Sequence, residues 1–505
     1  MNFSMRAFKP SCAFSFGLAL LSLSACSAPG GTGGESHVDV DDLLGEAYAS
    51  APVTDSKAVS QESIEKMDEW WRHLNDPQLE ELVDTMLAQN LDLEAAVQST
   101  LAAFWGVTAA GAANDFTVDV GIDASRSFTT PVTGGDRAYS TSLRPNATIG
   151  WQEDLFGGLK SQELAALGAW RATEQEQEAL KHSLIAAVVR QRVALSVLAR
   201  RIALSESIIA SRQSTLRIVE GRYSGGVAGT DAVNVHQAKE NLAGAQAALP
   251  GLMADLKQTE HFLQELLGQK PGADMPLVQL GNLPPLEQPP AGVPASLLDR
   301  RPDLRAARFR NQAQAANVDV AISALYPNLR LTATGGWEST DLEDIFDADR
   351  LFGSLLADLS MRIWGSWRLQ ANVDIEWARL RASAAAYRAA VLSACREVED
   401  ALVAESRLRE QWQQVQTQVS EARLAETQAR DRYASGVGSL LTVLDTERRR
   451  ANAEEFGLLL EQSIWNSRID LHLALGGNWA PSQPYDSIYS ANLESVRAFE
   501  KNSDQ

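Results

Sequence analysis

From Val391 to Tyr433 the chain sets Val391, Cys395, Val398, Leu402, Glu405, Leu408, Trp412, Val415, Val419, Ala422, Glu426, Ala429 and Tyr433 at steps that mostly alternate four and three. A mean step near 3.5 keeps one stripe of a helix facing a partner, so this stretch predicts a left-handed coiled-coil seam. Two of its positions are glutamate instead of apolar. Run from Gly365 to Arg432, such a helix reaches about 100 Å at roughly 1.5 Å per residue. A weaker seam runs from Gly158 to Gly221 through Leu180, Leu184, Ala187, Leu198, Ile208 and Val219.

Both rods end in nearly the same words. "RYSGGVAGT" opens at Arg222 and "RYASGVGSL" at Arg432, 210 residues later. Glycine tolerates the positive φ that tight corners use, so each turn predicts the tip of a helical hairpin. Pro250 and Gly251 predict a break in the first return helix. Two further landmarks recur at an offset of 208: Gly157 with Gly365, and Gly268 with Gly476. Between the halves, Lys270–Pro302 holds eight of the chain's eighteen prolines and predicts an extended linker. The organisation is then a first repeat over 61–269, a linker over 270–301, a second repeat over 302–477 and a polar tail over 478–505. Each repeat reads helix, strand, strand, long helix, turn, helix.

The strands alternate. "FTVDVGIDAS" puts Phe116, Val118, Val120, Ile122 and Ala124 on one face, against Thr117, Asp119, Gly121, Asp123 and Ser125. "LRLTATGGW" does the same from Leu329 to Trp337, while "SLRPNATIGW" and "LFGSLLADLSMRIW" alternate more loosely. A lipid-facing barrel strand has this pattern over about ten residues, and so does a half-buried strand of a soluble sheet. Closure separates the two. Four strands are too few for a barrel, whose smallest form has about eight, and an open sheet leaves unpaired backbone in hydrocarbon. A membrane reading therefore requires several copies, and three chains supply twelve strands.

The first residues read as an export signal over 1–25: Arg6 and Lys9, an apolar run from Ala13 to Ala25, then "LSAC" ending at Cys26. The last four residues fit a bacterial lipobox, predicting cleavage before Cys26 and a diacylglycerol and N-acyl chain on that cysteine. Ser27 at the next position resembles sorting to the outer membrane. Residues 26–60, with "GGTGGES", predict a lipidated tether. With Cys12 removed and Cys26 acylated, Cys395 stands alone, so no internal disulfide between unmodified cysteines is expected. A net charge of −20 argues against nucleic acid. Six scattered histidines have no metal-ligand spacing, and no nucleophile or phosphate-binding motif is present, so neither an enzyme nor a cofactor is expected.

Several stretches together resemble one family over about residues 60–480. They are "WWRHLNDPQLEELVDTMLAQNLDLEAA", "WQEDLFGGLKSQELAA", "RRPDLRAARFRNQAQAANVDVAISALYPNLRLTATGGW", "CREVEDAL" and "RYASGVGSLLTVLDTERRRANAE". The chain resembles the TolC-like outer membrane factors, in particular the lipidated efflux lipoproteins of NodT type. The resemblance implies a mixed α and β membrane protein with an internal two-fold repeat. It forms a homotrimer whose long coiled-coil helical barrel continues a twelve-stranded transmembrane β-barrel. It further implies a passive exit duct of a tripartite efflux pump, partnered by a periplasmic adaptor and an inner-membrane RND-type transporter. On the same resemblance, Gly226, Val227, Ala228, Gly229, Gly436, Val437, Gly438 and Ser439 are adaptor-docking tips. Asp445, Tyr433 and Arg432 belong to the periplasmic gate. Three copies of Asp445 round an axis would attract cations and raise one another's pKa. Thr442 and Ala434 depart from residues some relatives carry, so the gate links are expected to be fewer. In the register above, Asp119, Asp123 and Asp358 line the barrel interior and predict an acidic lumen. A secretion duct for peptide or polysaccharide, or a lipid-tethered scaffold without a channel, remain the alternative readings.

Overall fold

The computed structural model describes residue 38 and residues 70–476, apart from 75, 131–135, 228 and 273–299. Cys26, the export signal, nearly all of the tether and linker, Ala228 and the tail lie outside the described residues. The helices are α1 (Pro77–Gln89), α2 (Leu91–Gly111), α3 (Gly158–Ser224), α4 (Ala232–Leu266), α5 (Pro302–Ser323), α6 (Trp367–Ala434) and α7 (Leu440–Ala474). The strands are β1 (Thr117–Thr129), β2 (Ala138–Glu153), β3 (Asn328–Trp337) and β4 (Leu351–Ser360). Strand, strand, long helix and return helix thus follow one another in each half. At 67 and 68 residues, α3 and α6 are rods of about 100 Å.

Local chemistry starts each element where the sequence changes period. Asp76 accepts from the backbone N–H groups of Gln78 and Leu79, and Pro77 follows at the first helical position, so "NDPQL" opens α1. Asn90 caps α2 through Leu93 N at 2.9 Å and donates to the Leu266 carbonyl at 2.8 Å, tying the end of α4 to the α1–α2 corner. In "EDLFGG", Asp154 accepts from Lys160 N at 2.8 Å and Gly157 sits at φ 73°, turning β2 into α3. Gly365, at φ 75°, stands at the same corner before α6.

The four strands form one antiparallel sheet in the order β1-β2-β3-β4. Its register, Thr117 with Gly150, Ile149 with Ala333 and Ala333 with Leu355, sorts the side chains by face. One face collects Val118, Val120, Ile122 and Ala124 from β1 and Leu143, Pro145, Ala147, Ile149 and Trp151 from β2. Leu329, Leu331, Ala333, Gly335 and Trp337 of β3 continue it, as do Leu351, Gly353, Leu355, Ala357 and Leu359 of β4. The other face is polar or small apart from Phe352 and Leu356. Among the described residues nothing covers the apolar face, and Val120 and Leu355 are each 82% exposed. The outer edges of β1 and β4 have no strand beside them among the described residues.

The core lies away from the sheet, where α3 packs against α1, α2, α4, α5 and α7. Trp71, Leu79, Val83, Met86, Ile185, Val188, Leu195, Leu263 and Ile469 are buried together there. Val38, within the stretch read as a tether, rests against the cluster of Leu304, Tyr387, Val391 and Ala394. The predicted seam of α6 is buried at Val391, Val398, Leu402, Val415, Val419, Ala429 and Tyr433, against α7 and α5. Its two glutamates are buried too. Arg468 of α7 grips Glu405 with both Nε and Nη2, and Arg450 donates to Glu426 at 2.6 Å. The expected break at Pro250 does not occur, because α4 runs through it from Ala232 to Leu266. An internal proline removes one hydrogen bond and crowds the carbonyl of Gln246, which a 35-residue helix packed on α3 absorbs.

Candidate functional site

Beyond the core, α3, α4, α6 and α7 continue as a four-helix shaft to the two repeated turns. Apolar burial persists to its end through Val219, Ala238, Ala429, Tyr433, Leu440 and Val443. Arginine–carboxylate pairs tie α3 to α7 along the way: Arg190 with Asp470, Arg200 with Glu461 at 2.7 Å and Arg201 with Glu455 at 2.5 Å. Glu447, buried near the tip, accepts from Thr215 at 2.6 Å and from Arg430 at 2.9 Å.

The two turns open alike, though residues 225–231 join α3 to α4 and residues 435–439 join α6 to α7. In the first, Gly226 N donates to the Tyr223 carbonyl and Val227 N to that of Arg222. In the second, Gly436 N donates to Tyr433 and Val437 N to Arg432. Gly226 at φ 64° and Gly436 at φ 85° occupy the left-handed position of a Schellman cap. At Gly438 an added Cβ would lie 2.8 Å from Tyr433 N, so the backbone itself excludes a side chain there. Ser439 caps α7 through Thr442 N, and Asp231 caps α4 in a reciprocal pair with Asn234. Val227, Val437 and Leu441 are exposed, so the tip presents apolar side chains on a glycine frame.

The gate candidates separate in this geometry. Tyr433 is buried, and its Oη has no partner among the described residues. Arg222 of the first hairpin lies over its ring, with the guanidinium carbon 4.7 Å from the ring centre, and donates to its carbonyl at 2.6 Å. Arg432, the residue singled out from sequence, is exposed instead. Arg222 was missed although the repeated "RY" marked it as the counterpart of Arg432. Asp445 is not a bare charge either: Arg449 at 2.7 Å and Arg448 at 2.6 Å hold its carboxyl below the usual range. Within one chain this opposes the upward shift expected from like charges.

At the other end, the register puts Asp119, Asp123 and Asp358 on the polar face, as the alternation predicts. That face is not purely acidic. Asp123 accepts from Asn146 at 2.9 Å, Arg144 pairs with Glu338 at 2.5 Å, and Arg330 stands opposite Asp358. The remaining sequence motifs are structural. Arg301 of "RRPD" binds Asp303, Glu397 and the Ala474 carbonyl, pinning α5 to α6 and α7. No helix among the described residues is long and apolar enough to cross a membrane.

An uncovered apolar sheet face, a polar opposite face and a rod-like helical shaft describe a channel subunit. The chain matches the outer membrane efflux protein family over residues 82–269 and 293–477, and it belongs to that family. It is 30% identical over 428 residues to the pyoverdine export outer membrane protein OpmQ of Pseudomonas putida, covering 82% of this chain and 89% of that one. The toluene efflux pump outer membrane protein TtgI of the same species is 31% identical, with 69% and 74% covered. The solved outer-membrane channel OprN superposes with a TM-score of 0.76 at 26% identity, covering 85% of this chain and 98% of that one.

Proposed function

We propose that three copies of this chain form a passive duct through which small molecules leave the cell, as the outer-membrane part of a tripartite pump. The carrying observation is the register of the sheet, which collects the apolar side chains on one uncovered face and leaves both edges open. An open edge in hydrocarbon is untenable, so β4 of one copy pairs with β1 of the next. Three copies close twelve strands around the polar face, and Asp119, Asp123 and Asp358 then line water beside Arg144 and Arg330. The helical shaft extends into the periplasm. Its turns, Gly226–Gly229 and Gly436–Ser439, dock a periplasmic adaptor that connects to an RND-type inner-membrane transporter. Asp445, Tyr433 and Arg432 form the gate, and Cys26 carries the acyl anchor. The duct needs neither cofactor nor catalysis, since the transporter supplies the work. The efflux pumps named among its relatives favour small molecules over a secreted polymer as cargo.

Two measurements test this reading. The acylated protein in detergent has the mass of three chains and conducts ions across planar bilayers. A single-chain mass, or no conductance, defeats it. Labelled palmitate is incorporated into the wild type and lost in Cys26→Ser; retained label would place the anchor elsewhere.

A further inference from the structure

The apolar face of the sheet ends, on the side away from the helices, in a cluster of different character. Along that face β1 continues past Ala124 to Arg126 and Phe128, and β2 contributes Tyr139 in the same register. Arg137, two residues before Tyr139, extends the row. Phe128 stands directly across from Tyr139, with ring centres 6.3 Å apart. The Arg126 guanidinium lies over the Tyr139 ring and that of Arg137 over the Phe128 ring, each with its central carbon 5.2 Å from the ring centre. Cation and ring thus pair on the diagonals of one hairpin. A guanidinium held over a ring keeps in-plane N–H donors for an anion.

All four side chains are exposed, and neither arginine meets a carboxylate among the described residues. Charge on this face is otherwise rare. Among the residues of β1–β4 that share it, the charged ones are Arg126 at this end and Glu153 at the helix end. In a chain of net charge −20, two arginines without carboxylates beside an apolar surface form a local exception that suits an anion. Their height suits one too. From Val118 to Phe128 the strand climbs about 34 Å at roughly 3.4 Å per residue, which barrel tilts of about 35–45° reduce to about 24–28 Å. The apolar band of an outer-membrane barrel is about 25 Å tall, so the cluster stands where hydrocarbon gives way to headgroups.

We propose that Arg126 and Arg137 bind the phosphate of a lipid headgroup in the outer leaflet, while Phe128 and Tyr139 rest against the acyl carbons nearest to it. This rests on the barrel reading above, which turns the face toward lipid, and adds the class of lipid bound there. Because β1 is an outer strand of the sheet, a ring of three copies carries the site three times, once beside each junction. The ring also brings acids from the β3–β4 loop of the partner subunit toward β1. In each chain those acids are already engaged: Asp344 takes Arg350 at 3.2 Å, and Asp347 takes the Asp349 N–H at 3.3 Å.

Native mass spectrometry of the acylated full-length protein in detergent tests the site with two lipids. One is a glucosamine-disaccharide lipid bearing two phosphate monoesters, and the other is the same lipid with both removed. The trimer is expected to hold up to three copies of the phosphorylated lipid, and Arg126→Gln with Arg137→Gln to bind it about tenfold more weakly. Arg381→Gln with Arg407→Gln removes the same charge from exposed positions of α6 and is expected to leave binding unchanged. The dephosphorylated lipid is expected to bind weakly and equally to all three proteins. Equal affinity of the phosphorylated lipid for the wild type and the 126/137 variant overturns the site alone. Its displacement by inorganic phosphate at matching concentration does the same, by making this a site for free anion. Loss of the trimer in that variant without added lipid also overturns it, by assigning the arginines to the acidic loop of the partner subunit. A wild type of single-chain mass overturns the barrel reading and the lipid site together.

Discussion

Glu405 and Glu426 hold places in the α6 seam that heptad logic reserves for apolar side chains, and each is balanced by arginine from α7. The Glu405 and Arg468 side chains are 3% and 7% exposed. Removing one partner strands the other charge, so Glu405→Leu should cost about 3–5 kcal/mol, whereas Glu405→Leu with Arg468→Leu should recover most of it. Denaturant titration of the two variants measures the difference. His182 behaves differently. Burial, then Lys181 and Arg305, push its imidazole down to about 4 from 6.5. The folded value lies below the unfolded one, so stability is fully present above pH 6.5 and is lost as pH falls toward 4. The full effect is about 3 kcal/mol. His182→Gln should flatten the unfolding midpoint over that window. Asp445 has its own test: if Arg448 and Arg449 offset its charge, Arg448→Gln with Arg449→Gln should raise cation selectivity in bilayers more than Asp445→Asn lowers it. The seam glutamates were legible in the sequence as departures from the heptad. Their arginines were not, because Glu405 and Arg468 lie 63 residues apart on different helices.

Elements were more legible than contacts. Heptads, the repeated turn and the strand alternation located both rods, both tips and the apolar faces of β1 and β3. They did so because each is a local periodicity, and local periodicity survives in one dimension. β2 and β4 were harder to read, since Thr141 interrupts the apolar side of β2 and Phe352 and Leu356 the polar side of β4. Pro250 misled in the opposite direction: the cost of a proline is local, while the packing of α4 on α3 that outweighs it is not. Pro250→Ala should therefore stabilise α4 by about 1–3 kcal/mol, seen as slower amide exchange near Ala248. The two sheet faces make a sharper prediction. Leu355→Arg at mid-strand on the apolar face should cost about 2–4 kcal/mol in vesicle-embedded protein, while Thr334→Arg on the polar face should cost far less. Urea titration of the reconstituted protein compares the two.

At the scale of the molecule, one chain is a shaft with a finished core and a sheet without one. Arithmetic on strand number anticipated that incompleteness, since four strands cannot close by themselves. The contact of Arg222 with Tyr433 across the two hairpins was not legible from spacing alone. The unpaired flanks of β1 and β4 also have a consequence in the cell. In the proposed ring, subunits would have to find one another before lipid could receive them, so insertion would depend steeply on dosage, and a newly exported copy would be exposed to proteases while it waits. A defective allele expressed beside the normal one would enter most of the proposed three-chain rings, leaving roughly one in eight free of it at equal supply. Loss of function through a surface lesion on either flank should accordingly be genetically dominant.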